Sequence, residues 1–245
     1  MNYNLEKHTI THLYKIAEDL GIPLRTSKTN MIKDIEVAFG EYENYKKEKV
    51  DKYTKCSQLG FKGKEGTTFL VKDKQNKEYA MKTFRNNKSS DKLKQEFEFQ
   101  SQVCKKGICP EVYDFDTVSK YIVMEKMESH FYDNLMKNKG VISQKQQIRF
   151  LEIFNILDEN KIFHNDANLY NFMIKDKQLY IIDFGLAKEI TPKLIKKLGT
   201  SRPNFKLMSI AMILKFKDLG IPQESYSYIL NQMAYEDVKK FSLDK

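Results

Sequence analysis

The most informative segment of the sequence is His164–Gly185, which reads HNDANLYNFMIKDKQLYIIDFG. Asp166 is followed five residues later by Asn171, and Asp183 comes directly after the apolar run Tyr180–Ile182. One carboxylate can align a hydroxyl group, while an amide oxygen and a carboxylate at a strand end can hold Mg²⁺ beside nucleotide phosphates. Mg²⁺ suits such a set because it is a hard cation that takes few protein ligands. The segment therefore predicts phosphoryl transfer from a nucleotide.

A lysine in an earlier strand fits the same chemistry. Within the strand predicted at Glu78–Phe84, alternation places Ala80 and Lys82 on one face, a small residue beside a long cation. A lysine that faces inward needs an anionic partner, because burying an unpaired ammonium group is costly. Glu96, on the helix predicted over Lys92–Cys104, is the natural partner.

A glycine-containing segment precedes this lysine. Residues 59–66 read LGFKGKEG and open the strand predicted at Thr67–Val71. Glycines let a backbone approach phosphate closely and aim its N–H groups at it. Glycines also cluster in ordinary turns, so the segment is a candidate phosphate-binding loop only in company with Lys82 and the segment after it.

In this order, the motifs resemble the eukaryotic-type protein kinase superfamily over roughly residues 54–190. The resemblance implies an α+β, bilobal fold: a small antiparallel sheet with one helix, followed by a shortened helical lobe. It implies ATP and Mg²⁺ as cofactors. Lys82 would pair with Glu96 and with the α- and β-phosphates. Asp166 would be the catalytic-loop acid, and Asn171 with Asp183 would hold Mg²⁺.

The same resemblance assigns the nucleotide contacts. Residues 124–127 read MEKM and resemble the kinase hinge, which implies that Met124 is the gatekeeper. The backbone of Glu125 and Met127 would then meet the adenine edge. The other positions that the resemblance gives to the nucleotide are Gly63, Gly66 and Ala80.

Smaller details resemble the casein kinase I and vaccinia-related branch. They are the run Tyr180–Lys188, the segment Gly107–Pro110 and the fourteen-residue gap between Lys82 and Glu96. That gap favours Glu96 over Glu98 as the ion-pair partner of Lys82.

Four departures from the kinase pattern matter. The interval from Gly60 to Gly63 is one residue longer than usual, so only Gly63 and Gly66 carry over. Asn165 replaces the usual arginine of the catalytic loop, which argues against control through a phosphorylated activation loop. Asn168 replaces the lysine typical of serine/threonine kinases. No Ala-Pro-Glu segment occurs in the 60 residues after Gly185, so the second lobe is expected to be pared down, as in compact kinases of the Rio type.

These features favour an ATP- and Mg²⁺-dependent protein kinase directed at serine or threonine. One alternative is a small-molecule phosphotransferase like choline or aminoglycoside kinases, which also carry an aspartate followed by an asparagine. Another is a nucleotide-binding pseudokinase scaffold. The joint presence of Lys82, Glu96, Asp166, Asn171 and Asp183 argues against the scaffold.

The charge distribution indicates the partners. The chain has 42 Lys and Arg against 33 Asp and Glu, a net charge of +9, yet residues 1–50 are formally neutral. Lys188–Lys217 holds eight basic residues and one acidic residue. We therefore expect a protein substrate that is acidic or already phosphorylated. Three cysteines argue against a disulfide framework, and no apolar run approaches the roughly 18 residues of a membrane span.

The first forty residues predict a helical hairpin. Apolar residues at helical spacing mark a helix over Thr11–Leu20 and a second one from Met31 that ends at Gly40. The pair resembles a SAP-type module, which often binds nucleic acid, but its neutral charge favours a packing or docking hairpin over phosphate binding. The predicted domains are 1–45 (hairpin), 46–53 (linker), 54–127 (first lobe and hinge) and 128–245 (second lobe).

The composition also bears on where the protein acts. The absence of a signal peptide or membrane span predicts a cytoplasmic protein. The Lys-, Asn- and Ile-rich composition would suit a large DNA virus, in which case the host cytoplasm or the virion would be the place of action.

Overall fold

The computed structural model describes residues 9–50, 52–60, 63 and 65–233, with the backbone only for residues 42–50. The chain forms two compact units. The first comprises Met1–Lys55 with Lys72–Lys77, and the second comprises Cys56–Val71 with Glu78–Lys245.

The first unit contains a helical hairpin. Helix α1 spans Ile10–Asp19 and begins at Thr9, whose hydroxyl accepts a hydrogen bond from the N–H of His12. Helix α2 spans Lys28–Val50. The hairpin core is apolar and fully buried, and it consists of Leu13, Ala17, Met31 and Ile35.

The predicted end of the second helix at Gly40 is wrong. Helix α2 runs through this glycine and continues to Val50, so residues 46–50 of the predicted linker are helical. A helix-interior glycine costs only about 1 kcal/mol. The good helix formers that follow, among them Glu41, Glu43 and Lys46, offset that cost.

The second unit begins with most of a five-stranded sheet, with strand order β1-β2-β3-β5-β4. The strands are β1 (Thr54–Leu59), β2 (Gly66–Lys72), β3 (Glu78–Phe84), β4 (Val112–Asp116) and β5 (Tyr121–Met124). Helix α3 (Ser90–Cys104) packs on this sheet through Leu93 and Phe97, which join a cluster with Ala80 and Ile122. The predictions of β2, β3 and α3 are confirmed, whereas β1 and β4 were not predicted.

The rest of the second unit is mainly helical and has its own core. Its elements are β6 (Ser129–His130), α4 (Phe131–Lys137), α5 (Gln144–Glu159), β7 (Ile162–Phe163), β8 (Phe172–Lys175), β9 (Gln178–Ile181), β10 (Lys188–Glu189), α6 (Pro192–Leu198), α7 (Ser209–Asp218) and α8 (Ser227–Gln232). Helix α5 is central, because Phe150, Phe154 and Leu157 are completely buried. Ser143 and Gln146 form a capping box at its start. This α+β order, a small antiparallel sheet with one helix followed by a helical region, agrees with the predicted fold class.

Short strands position the segment His164–Gly185. β7 pairs antiparallel with β10, which brings Phe163 opposite Lys188. β8 pairs antiparallel with β9, with Phe172 opposite Ile181. The loop that follows β7 and the loop that follows β9 therefore lie next to each other. Among the residues that the structure describes, every helix is too short or too polar to span a membrane.

Candidate active site

Lys82 lies at the centre of the candidate site. β3 pairs with β5 so that Ala80 is opposite Met124 and Lys82 is opposite Ile122. The Lys82 Nζ donates hydrogen bonds to Glu96 Oε1 at 2.7 Å and to Asp183 Oδ1 at 2.8 Å. The structure thus brings together three of the predicted site residues from a strand, a helix and a distant loop.

The ion pairs shift the pKa values of Lys82 and Asp183. Burial by itself would lower the pKa of Lys82, but the carboxylates of Glu96 and Asp183 outweigh it and raise that pKa. Burial likewise acts to raise the pKa of Asp183, and the Lys82 ammonium outweighs it, so the pKa is lowered. Both groups are therefore charged at neutral pH.

Asp183 has an unusual backbone conformation. Its φ of 67° and ψ of 74° lie in the left-handed region, which costs energy for a residue with a side chain. Its carboxylate accepts the Gly185 N–H and Lys82, and 43% of its side chain stays exposed. Phe184 is buried beside the ring of His164 at a centroid distance of 5.0 Å. The buried ring anchors the segment and leaves the carboxylate accessible.

The loop after β7 holds Asp166 by short-range contacts. The Asp166 carboxylate accepts the N–H of Asn168 at 3.1 Å, and its backbone carbonyl lies 3.2 Å from His164 Nδ1. The other ring nitrogen of His164 lies 3.0 Å from the carbonyl of Ile182. Burial lowers the pKa of His164, so the ring is neutral near pH 7. The imidazole therefore joins the Asp166 loop to the residue before Asp183.

Asn165 takes a local role in place of the arginine that kinases usually have there. Its φ of 63° is left-handed, a conformation that asparagine tolerates better than most residues. Its Nδ2 donates to the carbonyl of Leu186 at 3.3 Å. The side chain thus fastens the loop to the residue after Gly185.

Asn171 is buried beside the end of β9. Its backbone carbonyl accepts the N–H of Ile182 at 2.9 Å, and only 7% of the residue is exposed. Among the described residues, its Nδ2 is one of the few buried side-chain atoms without a hydrogen-bond partner. A buried amide group left unpaired is costly unless a ligand or water satisfies it.

Two glycines of the segment before β2, Gly63 and Gly66, have defined contacts. The N–H of Gly63 donates to the carbonyl of Gly66 at 2.9 Å. A Cβ atom on Gly66 would lie 2.0 Å from the carbonyl oxygen of Thr83, so a side chain cannot fit there. The absence of a side chain at Gly66 lets β2 approach β3 closely.

The hinge candidates follow β5. Met124 and Met127 are buried, and the Nε2 of Gln100 lies 3.7 Å from the Met124 sulfur. The N–H of Glu125 donates to the carbonyl of Glu111 at 2.8 Å, which leaves the Glu125 carbonyl as its main-chain group for a ligand. Lys175 pairs with the Glu125 carboxylate.

Comparison with known proteins identifies the family. The model of the protein kinase domain matches residues 53–203, which is more than half of the chain. The chain belongs to the protein kinase family. The match begins at the first strand of the sheet and includes every candidate site residue of this kinase.

Individual relatives cover parts of the kinase. A "Probable bifunctional tRNA threonylcarbamoyladenosine biosynthesis protein" of Methanosphaera stadtmanae is 28% identical over 172 residues, 70% of this chain and 31% of the relative. The "Probable serine/threonine-protein kinase YbdM" of Bacillus subtilis is 31% identical over 81 residues, 33% of this chain and 32% of the relative. The mouse "Dual specificity protein kinase TTK" is 25% identical over 157 residues, 50% of this chain and 18% of the relative. The kinase thus spans a third or less of the length of these relatives.

The donor groups of the kinase fit Mg²⁺ and a nucleotide. Asp183 offers a partly exposed carboxylate, and the unpaired amide of Asn171 can turn its oxygen toward a cation. Both are hard oxygen ligands of the kind that Mg²⁺ takes. Lys82 supplies a charged donor for phosphate oxygens.

Sequence reasoning missed two pairs of residues in this kinase. Lys88 and Glu65 form an ion pair beside Glu96, and the only sequence signal was the place of Glu65 between two glycines. Asn204 and Asp158 form a buried hydrogen-bonded pair, and Asn204 also holds the loop after β7 by accepting the N–H of His164. No sequence pattern pointed to this second pair, because its members are 46 positions apart.

Proposed function

We propose that the chain is an ATP- and Mg²⁺-dependent protein kinase that transfers the γ-phosphate to a serine or threonine hydroxyl. The observation that carries the proposal is the double ion pair of Lys82 with Glu96 and Asp183, at 2.7 and 2.8 Å. A lysine held between two carboxylates from separate elements is preorganised to bind the phosphates of a nucleotide. The casein kinase I-like motifs support serine or threonine as the acceptor.

Each group of the site has a role in the proposed reaction. Asp166 orients the acceptor hydroxyl and accepts its proton late in the transfer. Lys82 stabilises the negative charge of the phosphates, and Glu96 holds the Lys82 side chain in place. Asn171 and Asp183 would hold Mg²⁺, which supplies neutralisation of phosphate charge when it is bound.

The nucleotide base has a candidate binding surface. Ala80 and Met124 face each other across β3 and β5 on the side that also carries Lys82. The carbonyl of Glu125 and the backbone of Met127 would meet the adenine edge, and Gly63 and Gly66 would cover the phosphates.

The basic segment after the site supports an acidic or phosphorylated substrate. Helix α6 has no buried residue, and its Lys193, Lys196 and Lys197 are exposed, as are Lys215 and Lys217 of α7. Exposed positive charge attracts anionic partners over about 10 Å at moderate ionic strength. We therefore expect phosphorylation of acidic peptides to fall as the salt concentration rises, whereas equal, salt-insensitive rates on acidic and basic peptides would contradict this preference.

A role in tRNA threonylcarbamoyladenosine biosynthesis is the second candidate. The relative from Methanosphaera stadtmanae, whose name states that process, aligns with 70% of this chain. The net charge of +9 would also suit a nucleic-acid partner. Nucleotide turnover that is stimulated by tRNA but not by any protein would favour this candidate.

The test is transfer of radiolabelled phosphate from ATP to a panel of acidic and basic proteins. Wild type is compared with Asp166→Ala, Lys82→Met and Asp183→Ala, and with the matched surface controls Asp218→Ala and Lys94→Met. We expect label on protein that all three site variants lose and both controls keep. Label only on small alcohols would favour the small-molecule phosphotransferase, and nucleotide binding without transfer would favour the scaffold. Full activity of Asp183→Ala would refute both enzymatic assignments.

A further inference from the structure

Lys88 is a buried lysine that the proposed mechanism does not use. It lies in the turn before α3, where its N–H donates to the carbonyl of Arg85 at 3.0 Å. Only 7% of its side chain is exposed. Its Nζ donates to Glu65 Oε2 at 2.6 Å and to Glu96 Oε2 at 2.5 Å. A buried ammonium group needs such anionic partners, so the two contacts keep Lys88 inside the fold.

Glu96 is therefore shared by two lysines. Its Oε1 accepts from Lys82 and its Oε2 accepts from Lys88. Both ammonium groups also lie against the ring of Phe84, at 5.0 and 4.4 Å from the centroid. Because both carboxylate oxygens are engaged, Glu96 cannot rotate without breaking a charge-assisted hydrogen bond.

Glu65 extends the ion-pair chain to the residue before β2. The backbone carbonyl of Glu65 accepts the N–H of Arg85 at 3.0 Å, and its carboxylate reaches Lys88. A Cβ atom on Gly185 would lie 2.6 Å from Glu65 Oε2, so the carboxylate occupies space that a side chain at position 185 would take. Glu65 is thereby joined to the turn before α3, and its carboxylate lies against the segment that begins at Asp183.

The charges of this cluster are nearly balanced. Oxygens of Glu65, Glu96 and Asp183 lie within 4.8 Å of one another, and Lys82 and Lys88 are the two ammonium groups that contact them. Without the charge of Lys88, the three carboxylates of this cluster would have a single ammonium group beside them, that of Lys82. Like charges at this separation repel, and Glu65, which would lose its ammonium partner Lys88, is the carboxylate that we expect to move away.

We propose that Lys88 is a positioning residue that holds Glu65 and the start of β2 beside the nucleotide site through the chain Glu65–Lys88–Glu96. The proposal rests on the proposed function in one respect, the binding of a nucleotide beside Gly66. Gly66 has no side chain to restrict the backbone at the start of β2, and the ion-pair chain supplies that restriction instead.

A double-mutant cycle tests the proposal. The variants are Lys88→Met, Glu65→Gln and the double variant, with Lys94→Met as control because Lys94 forms an exposed ion pair with Glu98 on the same helix. Two quantities are measured: amide hydrogen exchange of residues 65–72 without nucleotide, and the dissociation constant of a non-hydrolysable ATP analogue with Mg²⁺. We expect faster exchange and about tenfold weaker binding in each single variant, since each loses a hydrogen bond between charged groups.

The pattern of the cycle separates this role from a merely structural one. Because both residues act through one contact, the double variant should bind no more weakly than Lys88→Met alone. Any of three results would overturn the proposal. The losses of affinity of the two single variants could multiply in the double variant, amide exchange could stay unchanged in both single variants, or Glu65→Gln could bind the analogue more tightly. Should Lys88→Met fail to fold, the same two measurements are made on Glu65→Gln, which changes a partly exposed side chain.

Failure of the proposed function would look different. Wild-type protein that does not bind the ATP analogue would refute the nucleotide site, while the exchange measurement would still report on the ion-pair chain. Analogue binding that is normal in wild type and unaffected in every variant would refute the role of Lys88 and leave the proposed function intact.

Discussion

Replacing Asn204 should destabilise the fold more than any surface change, because this side chain connects three buried elements. Its Nδ2 donates to Asp158 Oδ1 at 2.7 Å and to the carbonyl of Ile162 at 2.6 Å, and its Oδ1 accepts the N–H of His164 at 2.8 Å. Asn204 is completely buried and Asp158 nearly so. Asn204→Ala therefore leaves the Ile162 carbonyl and the His164 N–H without partners.

The size of the effect follows from these contacts. Each buried polar group left unsatisfied costs about 1–3 kcal/mol, and Asp158 loses one of its donors as well. It keeps two, the backbone N–H groups of residues 204 and 205, at 3.0 and 2.9 Å. The free energy of unfolding should thus fall by about 3–6 kcal/mol, which lowers Tm by roughly 10 °C in a chain of this size.

Urea and thermal unfolding followed by circular dichroism measure this loss. Asn155→Ala is the matched control, because Asn155 lies on α5 like Asp158 and accepts one exposed hydrogen bond from Arg202. The control should change the free energy of unfolding by about 1 kcal/mol or less. A loss below about 1 kcal/mol in Asn204→Ala would refute the reasoning, because it would mean that the buried groups find other partners.

Asn204→Asp sharpens the test through its pH dependence. It would place a second carboxyl group 2.7 Å from the oxygen of Asp158, where burial already raises the pKa. Two carboxyl groups at that distance hold one proton between them, so the folded pair has a raised pKa. A group whose pKa is higher in the folded than in the unfolded chain stabilises the fold at low pH, and this contribution is lost as the pH rises. The deficit of Asn204→Asp relative to wild type should therefore be smaller at pH 5 than at pH 8.

Three further predictions follow from single residues. Gly66→Ala should lower Tm clearly while Gly63→Ala does not, because a Cβ would lie 2.0 Å from a backbone oxygen at Gly66 but 3.4 Å from one at Gly63. Burial lowers the pKa of His164, so as the pH falls this histidine takes up a proton in the unfolded chain before it does so in the folded one. The free energy of unfolding, measured by urea titration, should therefore fall below about pH 6.5, and it should fall less steeply in His164→Gln. A hydrogen bond from Cys109 lowers the pKa of Cys104 to about 6, whereas burial raises the pKa of Cys109. Iodoacetamide should accordingly label Cys104 with a midpoint near pH 6 by mass spectrometry, and Cys109→Ala should move that midpoint upward; equal labelling of both thiols would contradict this.

Local patterns in the sequence were enough to place many elements. Alternation predicted β3, apolar residues at helical spacing predicted the helical hairpin, and the order of motifs indicated the family. Turns and short strands escaped, because β1 has mostly exposed side chains and no alternating pattern. The end of α2 was misplaced because one glycine was given more weight than the helix formers after it.

For the candidate site too, the sequence indicated the residues, whereas several of their contacts were seen only in the folded chain. Motif spacing and side-chain chemistry were enough to name the candidate residues and to predict the pairing of Lys82 with Glu96. Three contacts are evident only in the folded chain: Lys82 meets a carboxylate 101 positions away, Lys88 shares Glu96 with it, and Asn204 supports the loop that begins at His164. Such contacts depend on which distant groups lose water together when the core forms, and no local pattern records that.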